Sequence, residues 1–168
     1  GGGKTFLAAH AVAQIGKTFR ESAAPVVLWL VPSDAIRSQT LTGLTSPRNP
    51  CREALTEHFG ERVRVCALDD LATVGPQEIG QSAIVIVATI QSFNVKDKTI
   101  RTVYSFDENL APHFHGLTPQ CEARLDRLDR VRETDIAAQP FLTASDLGRV
   151  KASLANWLTL HQPIVVVD

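Results

Sequence analysis

Methionine is absent from the whole chain, including position 1, and the three cysteines are scattered. Because a complete translated chain normally begins with methionine, we expect residues to be missing before Gly1. Cys51, Cys66 and Cys121 form no C-x-x-C pair, which favours reduced thiols in a cytoplasmic protein over a disulfide framework or a zinc site. No apolar run approaches the roughly 18 residues of a membrane span, so no membrane contact is expected.

The chain also lacks an excess of either charge. It has 17 basic and 18 acidic side chains and a net charge of −1, so the overall charge does not indicate binding of nucleic acid. Any binding of nucleic acid would have to use local patches. The 168 residues, of which 44% are hydrophobic and 21% charged, are ordinary for one globular domain with its own core.

Short apolar runs alternate with segments of helical periodicity, which predicts an α/β fold with a parallel sheet. The runs at Val26–Val31 and Ile84–Ala88 are typical of strands buried on both faces. Further strands are predicted at Val63–Leu68 and Ile164–Val167. Helices are predicted at Lys4–Ile15 with Gly16 as C-terminal cap, from Ser33 through Gln39, and at Arg52–Phe59, Glu122–Glu133 and Leu147–Leu160.

Residues 94–145 break this alternation. The segment has mixed polarity and scattered prolines, and it is longer than an ordinary connection, so we expect an insertion of about 94–145 within one domain spanning 1–168. Its His113-x-His115 pair has no further ligands at metal-site spacing and predicts a solvated loop. His10, His58 and His161 are predicted to stand alone on helices or at their ends.

The first residues, Gly1-Gly2-Gly3-Lys4-Thr5, match the second half of the phosphate-binding pattern G-x-x-x-x-G-K-[ST]. In such a loop glycine N–H groups surround the phosphates, the lysine reaches the β- and γ-phosphates, and the hydroxyl holds magnesium. The sequence therefore predicts that all five residues bind ATP, with Lys4 in a catalytic role. A flexible turn before a helix is the alternative, because G-K-T alone is common.

The other end of the chain complements this motif. Pro163–Val167 is an apolar strand followed by Asp168, the place where nucleotide-hydrolysing proteins hold magnesium with a carboxylate. Thr5 and Asp168 are thus the predicted Mg²⁺ ligands, and Asp168 the second catalytic residue. A solvated aspartate after an edge strand is the alternative for that end taken alone.

Motifs between and including the two ends indicate which class of nucleotide-binding protein the chain resembles. Val31-Pro32-Ser33 resembles motif Ia of superfamily 2 helicases, residues 88–93 (A-T-I-Q-S-F) resemble their next nucleic-acid motif, and residues 163–168 look like the opening of a D-E-A-H box. The closest resemblance is to the ResIII-type DEAD/DEAH-box family, which includes the restriction subunit of type III restriction enzymes. It spans nearly the whole chain and implies a RecA-like P-loop domain, truncated at both ends.

The resemblance also implies function. The parent would be an ATP-hydrolysing helicase or translocase acting on double-stranded DNA, with a second RecA-like domain and possible modification or specificity subunits as partners. Contacts to the nucleic-acid backbone would come from Pro32, Ser33, Thr89 and Gln91. The glutamate expected after Asp168 and the arginine finger of the second domain are absent from these residues, so the fragment alone should be a poor ATPase.

Two other functions remain open on the sequence. A P-loop phosphotransferase would act on a small molecule and would need an acceptor pocket and a lid, for which there is no sequence signal. A non-catalytic scaffold would bind nucleotide or a protein partner without turnover.

Overall fold

The computed structural model describes residues 2–19, 24–94, 102–117 and 124–168. The chain forms two compact units, residues 1–94 together with 163–168, and residues 95–162. The interpretation of about 94–145 as an insertion within one ATPase domain stays a prediction. Among the described helices, none combines the length and the apolar character needed to cross a bilayer.

The first unit contains a parallel sheet of four strands. They are β1 (Val26–Val31), β2 (Val63–Ala67), β3 (Ala83–Thr89) and β4 (Ile164–Val167), in the spatial order β2-β3-β1-β4. The prediction of an α/β fold with a parallel sheet is confirmed. Since all four strands run in one direction, the residues that follow them lie along one edge of the sheet.

Burial explains why the strands were recognisable. All seven residues of β3 are buried, and β1 contributes the fully buried Trp29. Such continuous β-branched and apolar runs suit a strand covered on both faces. β4 instead exposes Val165 and Val167 and pairs with β1 along one side.

Three helices accompany this sheet: α1 (Gly2–Phe19), α2 (Asp34–Thr45) and α3 (Pro50–Phe59). Ser33 caps α2 as predicted, with its Oγ accepting from the Ile36 N–H at 3.4 Å. α3 begins two residues before the prediction, because Asn49 Oδ1 accepts from the Cys51 N–H at 2.9 Å and Pro50 suits a first helical position.

The predicted cap at Gly16 is wrong. Helix α1 continues to Phe19, and Gly16 is buried within it. A Cβ at Gly16 would lie 3.2 Å from Pro25 Cγ and 3.6 Å from Phe59 Cζ. The glycine is therefore explained by the close packing of α1 against these two side chains, a reason that no local pattern reveals.

The second unit is less regular. Its described helices include α4 (Glu133–Ala138) and α5 (Leu154–His161), and two 3₁₀ segments cover Glu108–Phe114 and Ala144–Asp146. The predicted helix Glu122–Glu133 is wrong over 126–132, where the chain turns. There Arg130 forms an isolated antiparallel β-bridge with Val150. Glu122 itself lies outside the described residues.

The predicted helix Leu147–Leu160 is wrong in its first half, since α5 begins only at Leu154. Asn156 supplies the physical reason. Its Nδ2 donates to the carbonyls of Asp129 (2.8 Å) and Lys151 (2.7 Å), and its Oδ1 accepts from the Asp129 N–H at 2.9 Å. These hydrogen bonds pair backbone N–H and C=O groups of non-helical segments. The residues before Leu154 therefore have hydrogen-bond partners without forming a helix.

The histidines of this unit also depart from expectation. His115 is exposed as predicted, but His113 is buried and packs edge-on against Trp157, with ring centroids 5.9 Å apart. The ring centroid of His161 lies 4.3 Å from that of Trp157. Burial lowers the pKa of His161 to about 4, with smaller contributions from the positive charges of His113 and Arg124.

Candidate nucleotide site

The two ends of the described chain meet in the first unit. Thr5 Oγ1 donates a hydrogen bond to Asp168 Oδ2 at 3.0 Å, across a sequence separation of 163 residues. Thr5 lies in the first turns of α1, and Asp168 follows β4 directly. The Asp168 N–H donates to the Leu30 carbonyl of β1 at 3.0 Å, so the sheet fixes the backbone that presents the carboxylate.

This pair has the chemistry that a magnesium ion requires. Mg²⁺ prefers oxygen ligands and commonly uses one or two protein carboxylates together with phosphate oxygens. Thr5 is half-buried and Asp168 is exposed, so both oxygens are accessible. The hydrogen bond also shows that the hydroxyl and carboxylate approach closely enough to share one ion.

Lys4 is exposed beside Thr5 in the first turns of α1. Gly2 and Gly3 are helical, so α1 starts two residues before the predicted Lys4, while Gly1 lies outside the described residues. The space around Gly3 is open, since a Cβ there would meet no atom within 4 Å. The N–H groups of a first helical turn have no intrahelical acceptors and favour an anion.

A cavity of about 330 Å³ adjoins the Thr5–Asp168 pair. Its lining includes Gln39 of α2 together with Asn49 and Cys51 at the start of α3. Burial raises the pKa of the Cys51 thiol, and the negative charge of Asp168 raises it further. Asn49 and Cys51 were missed as site neighbours in the sequence, where Asn49-Pro50 signals only a helix start.

The predicted nucleic-acid residues lie along the carboxyl edge of the same sheet. Val31 pairs with Thr89 in the β1–β3 register, which brings Pro32-Ser33 and Thr89–Gln91 to neighbouring positions. Pro32 and Gln91 are exposed. Thr89 is only 7% exposed, and its Oγ1 lies 3.0 Å from Ser92 Oγ. The exposed turn after Thr89 is thus better placed than its hydroxyl to contact a ligand.

Arg37 is a further cation at this edge, and no motif in the sequence indicates it. Its Nε lies 3.1 Å from Asp34 Oδ1 and its Nη1 lies 3.7 Å from Asp69 Oδ2. Both carboxylates compensate its charge, and the pair with Asp69 connects α2 to the segment after β2.

A protein-family model described as "Type III restriction enzyme, res subunit" matches residues 1–116. No curated protein and no solved structure matches the chain. The matched range contains α1 and strands β1 to β3, and it stops before β4, so the position of Asp168 depends on the geometry alone. Because the match covers more than half of the sequence, the chain belongs to the family of type III restriction enzyme res subunits, within the superfamily 2 helicases.

Proposed function

We propose that this chain is the ATP-binding and hydrolysing part of a DNA helicase or translocase, of the DEAD/DEAH-box restriction type. Membership of a helicase-type, ATP-dependent motor family supports the class. The single observation that carries the site is the 3.0 Å contact between Thr5 Oγ1 and Asp168 Oδ2. It joins the end of the predicted phosphate-binding motif to the carboxylate that follows β4, an edge strand of the sheet.

The proposed nucleotide contacts begin at α1. Lys4 would extend to the β- and γ-phosphates, and the N–H groups of Gly1, Gly2 and Gly3 would face phosphate oxygens. Thr5 directs its proton to Asp168, which leaves its oxygen lone pairs available to a metal. When bound, Mg²⁺ would neutralise charge that develops on the transferred phosphoryl group.

We expect ATP hydrolysis to involve a second RecA-like domain of the same parent chain. A partner domain would raise the rate by completing the charge stabilisation around the γ-phosphate.

The DNA surface is proposed at the carboxyl edge of the sheet, around Pro32, Ser33, Thr89 and Gln91. Exposed backbone and hydroxyl groups at strand-to-helix turns can contact phosphates of double-stranded DNA. Such contacts hold the duplex backbone without reading its sequence.

Calorimetric titration of ATP with and without Mg²⁺ tests the nucleotide site. Asp168→Asn should weaken Mg²⁺-dependent ATP binding at least tenfold and leave the metal-free affinity little changed. Asp70→Asn is the matched control, because Asp70 is also an exposed aspartate of the first unit but lies after β2. Equal Mg²⁺ dependence in wild type and Asp168→Asn would overturn the assignment.

A further inference from the structure

Helices α1 and α3 bring together three side chains that can ligate a metal. They are His10 on α1 and Glu57 and His58 on α3, and one ligand atom from each lies within 4.8 Å of the other two. His10 is half-buried, while Glu57 and His58 are exposed. The prediction that His10 and His58 stand alone is therefore wrong, because helix packing places them side by side.

The distances suit one ion. Three atoms within 4.8 Å of one another all lie within about 2.8 Å of a common centre. Zinc takes nitrogen or carboxylate oxygen at about 2.0–2.2 Å, so shifts of less than about 1 Å in each side chain complete the contacts. The imidazole rings of His10 and His58 are 5.7 Å apart at an interplanar angle of 89°, and Phe6 packs edge-on against His10 at 4.6 Å.

The two helices that carry these ligands are fixed by the core. Ala9 and Val12 of α1 and Leu55 of α3 are at most 1% exposed and belong to one hydrophobic cluster. Farther along, Gly16 allows α1 to approach Phe59 closely. Ligands on packed helices are held more reproducibly than ligands on loops.

We propose that His10, Glu57 and His58 bind a divalent transition metal of the zinc class, which joins α1 to α3. Two imidazoles and one carboxylate are a ligand set that zinc uses, with a fourth position left for water or another ligand. The same set disfavours Mg²⁺, which prefers oxygen ligands alone. The site is thus chemically distinct from Thr5 and Asp168 and does not depend on the proposed ATPase function.

The metal would connect the nucleotide helix to its neighbour. Thr5 and His10 are five residues apart on α1, about 7.5 Å along the helix axis. A metal that binds the folded chain and not the unfolded chain stabilises the folded state by mass action. Zinc should therefore hold α1 against α3 whether or not ATP is present.

The test uses the full chain, freed of metal by a chelator and titrated with Zn²⁺ alone in the presence of millimolar Mg²⁺. We expect one equivalent to bind and to raise Tm by about 5 °C or more at a hundredfold excess over Kd. His58→Ala and His10→Ala should each weaken Zn²⁺ binding at least tenfold, and Glu57→Gln should weaken it measurably.

Two controls define the site. His115→Ala removes an exposed imidazole of the second unit, and Cys51→Ser removes a candidate thiolate; both should keep wild-type Zn²⁺ affinity. Because Glu57 and His58 are exposed, their variants should fold, as circular dichroism can verify. Failure of wild type to bind Zn²⁺ at micromolar concentration, or wild-type affinity in His58→Ala, would overturn the proposal.

Discussion

The hydrogen-bonding groups of the backbone find their partners in different ways in the two units of the chain. In the first unit, parallel strands bond to one another, and the apolar side chains of β3 fill both faces of the sheet. In the second unit, side chains bond to distant backbone groups: Asn156 to two carbonyls, and Arg124 to the Leu160 carbonyl. Regular structure thus follows local patterns, while irregular structure depends on particular polar residues.

The largest expected effect is in the core of the first unit. Trp29→Ala should lower the free energy of unfolding by about 3–5 kcal/mol, because Trp29 is fully buried in β1 and its removal leaves a cavity. Urea denaturation measures the loss. Ile90→Ala, at a position 42% exposed, should change stability by less than about 1 kcal/mol. A similar change for both variants would contradict the view that burial in the sheet dominates this unit.

Asn156→Ala should break the polar network of the second unit. The buried groups that it leaves unpaired should cost about 2–4 kcal/mol, since each unsatisfied group costs about 1–3 kcal/mol. Hydrogen exchange should increase at the Asp129 N–H, which loses its acceptor. Asn109→Ala is the control, because Asn109 is exposed and forms hydrogen bonds to the neighbouring Asp107. Unchanged protection in Asn156→Ala would show that the network does not support this unit.

The second unit should also lose stability in acid. The pKa of His161 is about 4 in the folded chain, against 6.5 for an unperturbed histidine, so the unfolded state binds the proton first as pH falls. The stabilisation from keeping His161 neutral is complete above pH 6.5 and is lost progressively between pH 6.5 and 4, by up to about 1.4 kcal/mol per pH unit.

Denaturation at several pH values compares wild type with His161→Asn, which removes the titrating ring. The difference in stability between the two proteins should shrink as pH falls through this window. A difference that stays constant from pH 7 to pH 4 would contradict the burial of a neutral ring.

Lys4→Ala tests the chemistry assigned to the first unit. Loss of the charged contact to the triphosphate should cost about 1.5–3 kcal/mol, which is about 10–150-fold in ATP affinity. Calorimetric titration measures the change, and Arg48→Ala controls for removal of an exposed positive charge. Wild-type ATP affinity in Lys4→Ala would eliminate the phosphate-binding assignment.

The smallest effect separates two roles of Ser33. Ser33→Ala removes the cap of α2 and should cost about 1 kcal/mol, whereas Ser33→Gly should cost only a few tenths. If Ser33 also contacts DNA, both variants should weaken DNA binding in a gel-shift assay, even where stability is kept. Normal DNA affinity in Ser33→Gly would leave Ser33 as a helix cap alone.

The sequence predictions were more accurate for the first unit than for the second unit. The strands were located to within about one residue, because β-branched runs between turns favour buried parallel strands wherever they occur. The helix expected at 122–133 was wrong over 126–132, and the helix expected at 147–160 was wrong before Leu154. In both segments the amphipathic spacing was outweighed by hydrogen bonds from Asn156 to distant backbone groups.

For the candidate site, the sequence indicated which residue types take part but not which of them contact one another. Thr5 and Asp168 were predicted together as magnesium ligands, and the structure places them in contact, although metal binding itself stays a prediction. Cys51 and Asn49 beside the cavity carried no functional signal in sequence. His10 and His58 were read as isolated because nothing local indicates that α1 packs on α3.

The sequence by itself determined the alternation of buried strands and helices and the residue types at both ends of the chain. Those properties depend on side-chain chemistry and short-range spacing. Only the tertiary structure decided which distant residues meet, such as Thr5 with Asp168 or His10 with His58. Parallel strands and packed helices join residues far apart in sequence, so their contacts depend on the whole core and are encoded in no single segment.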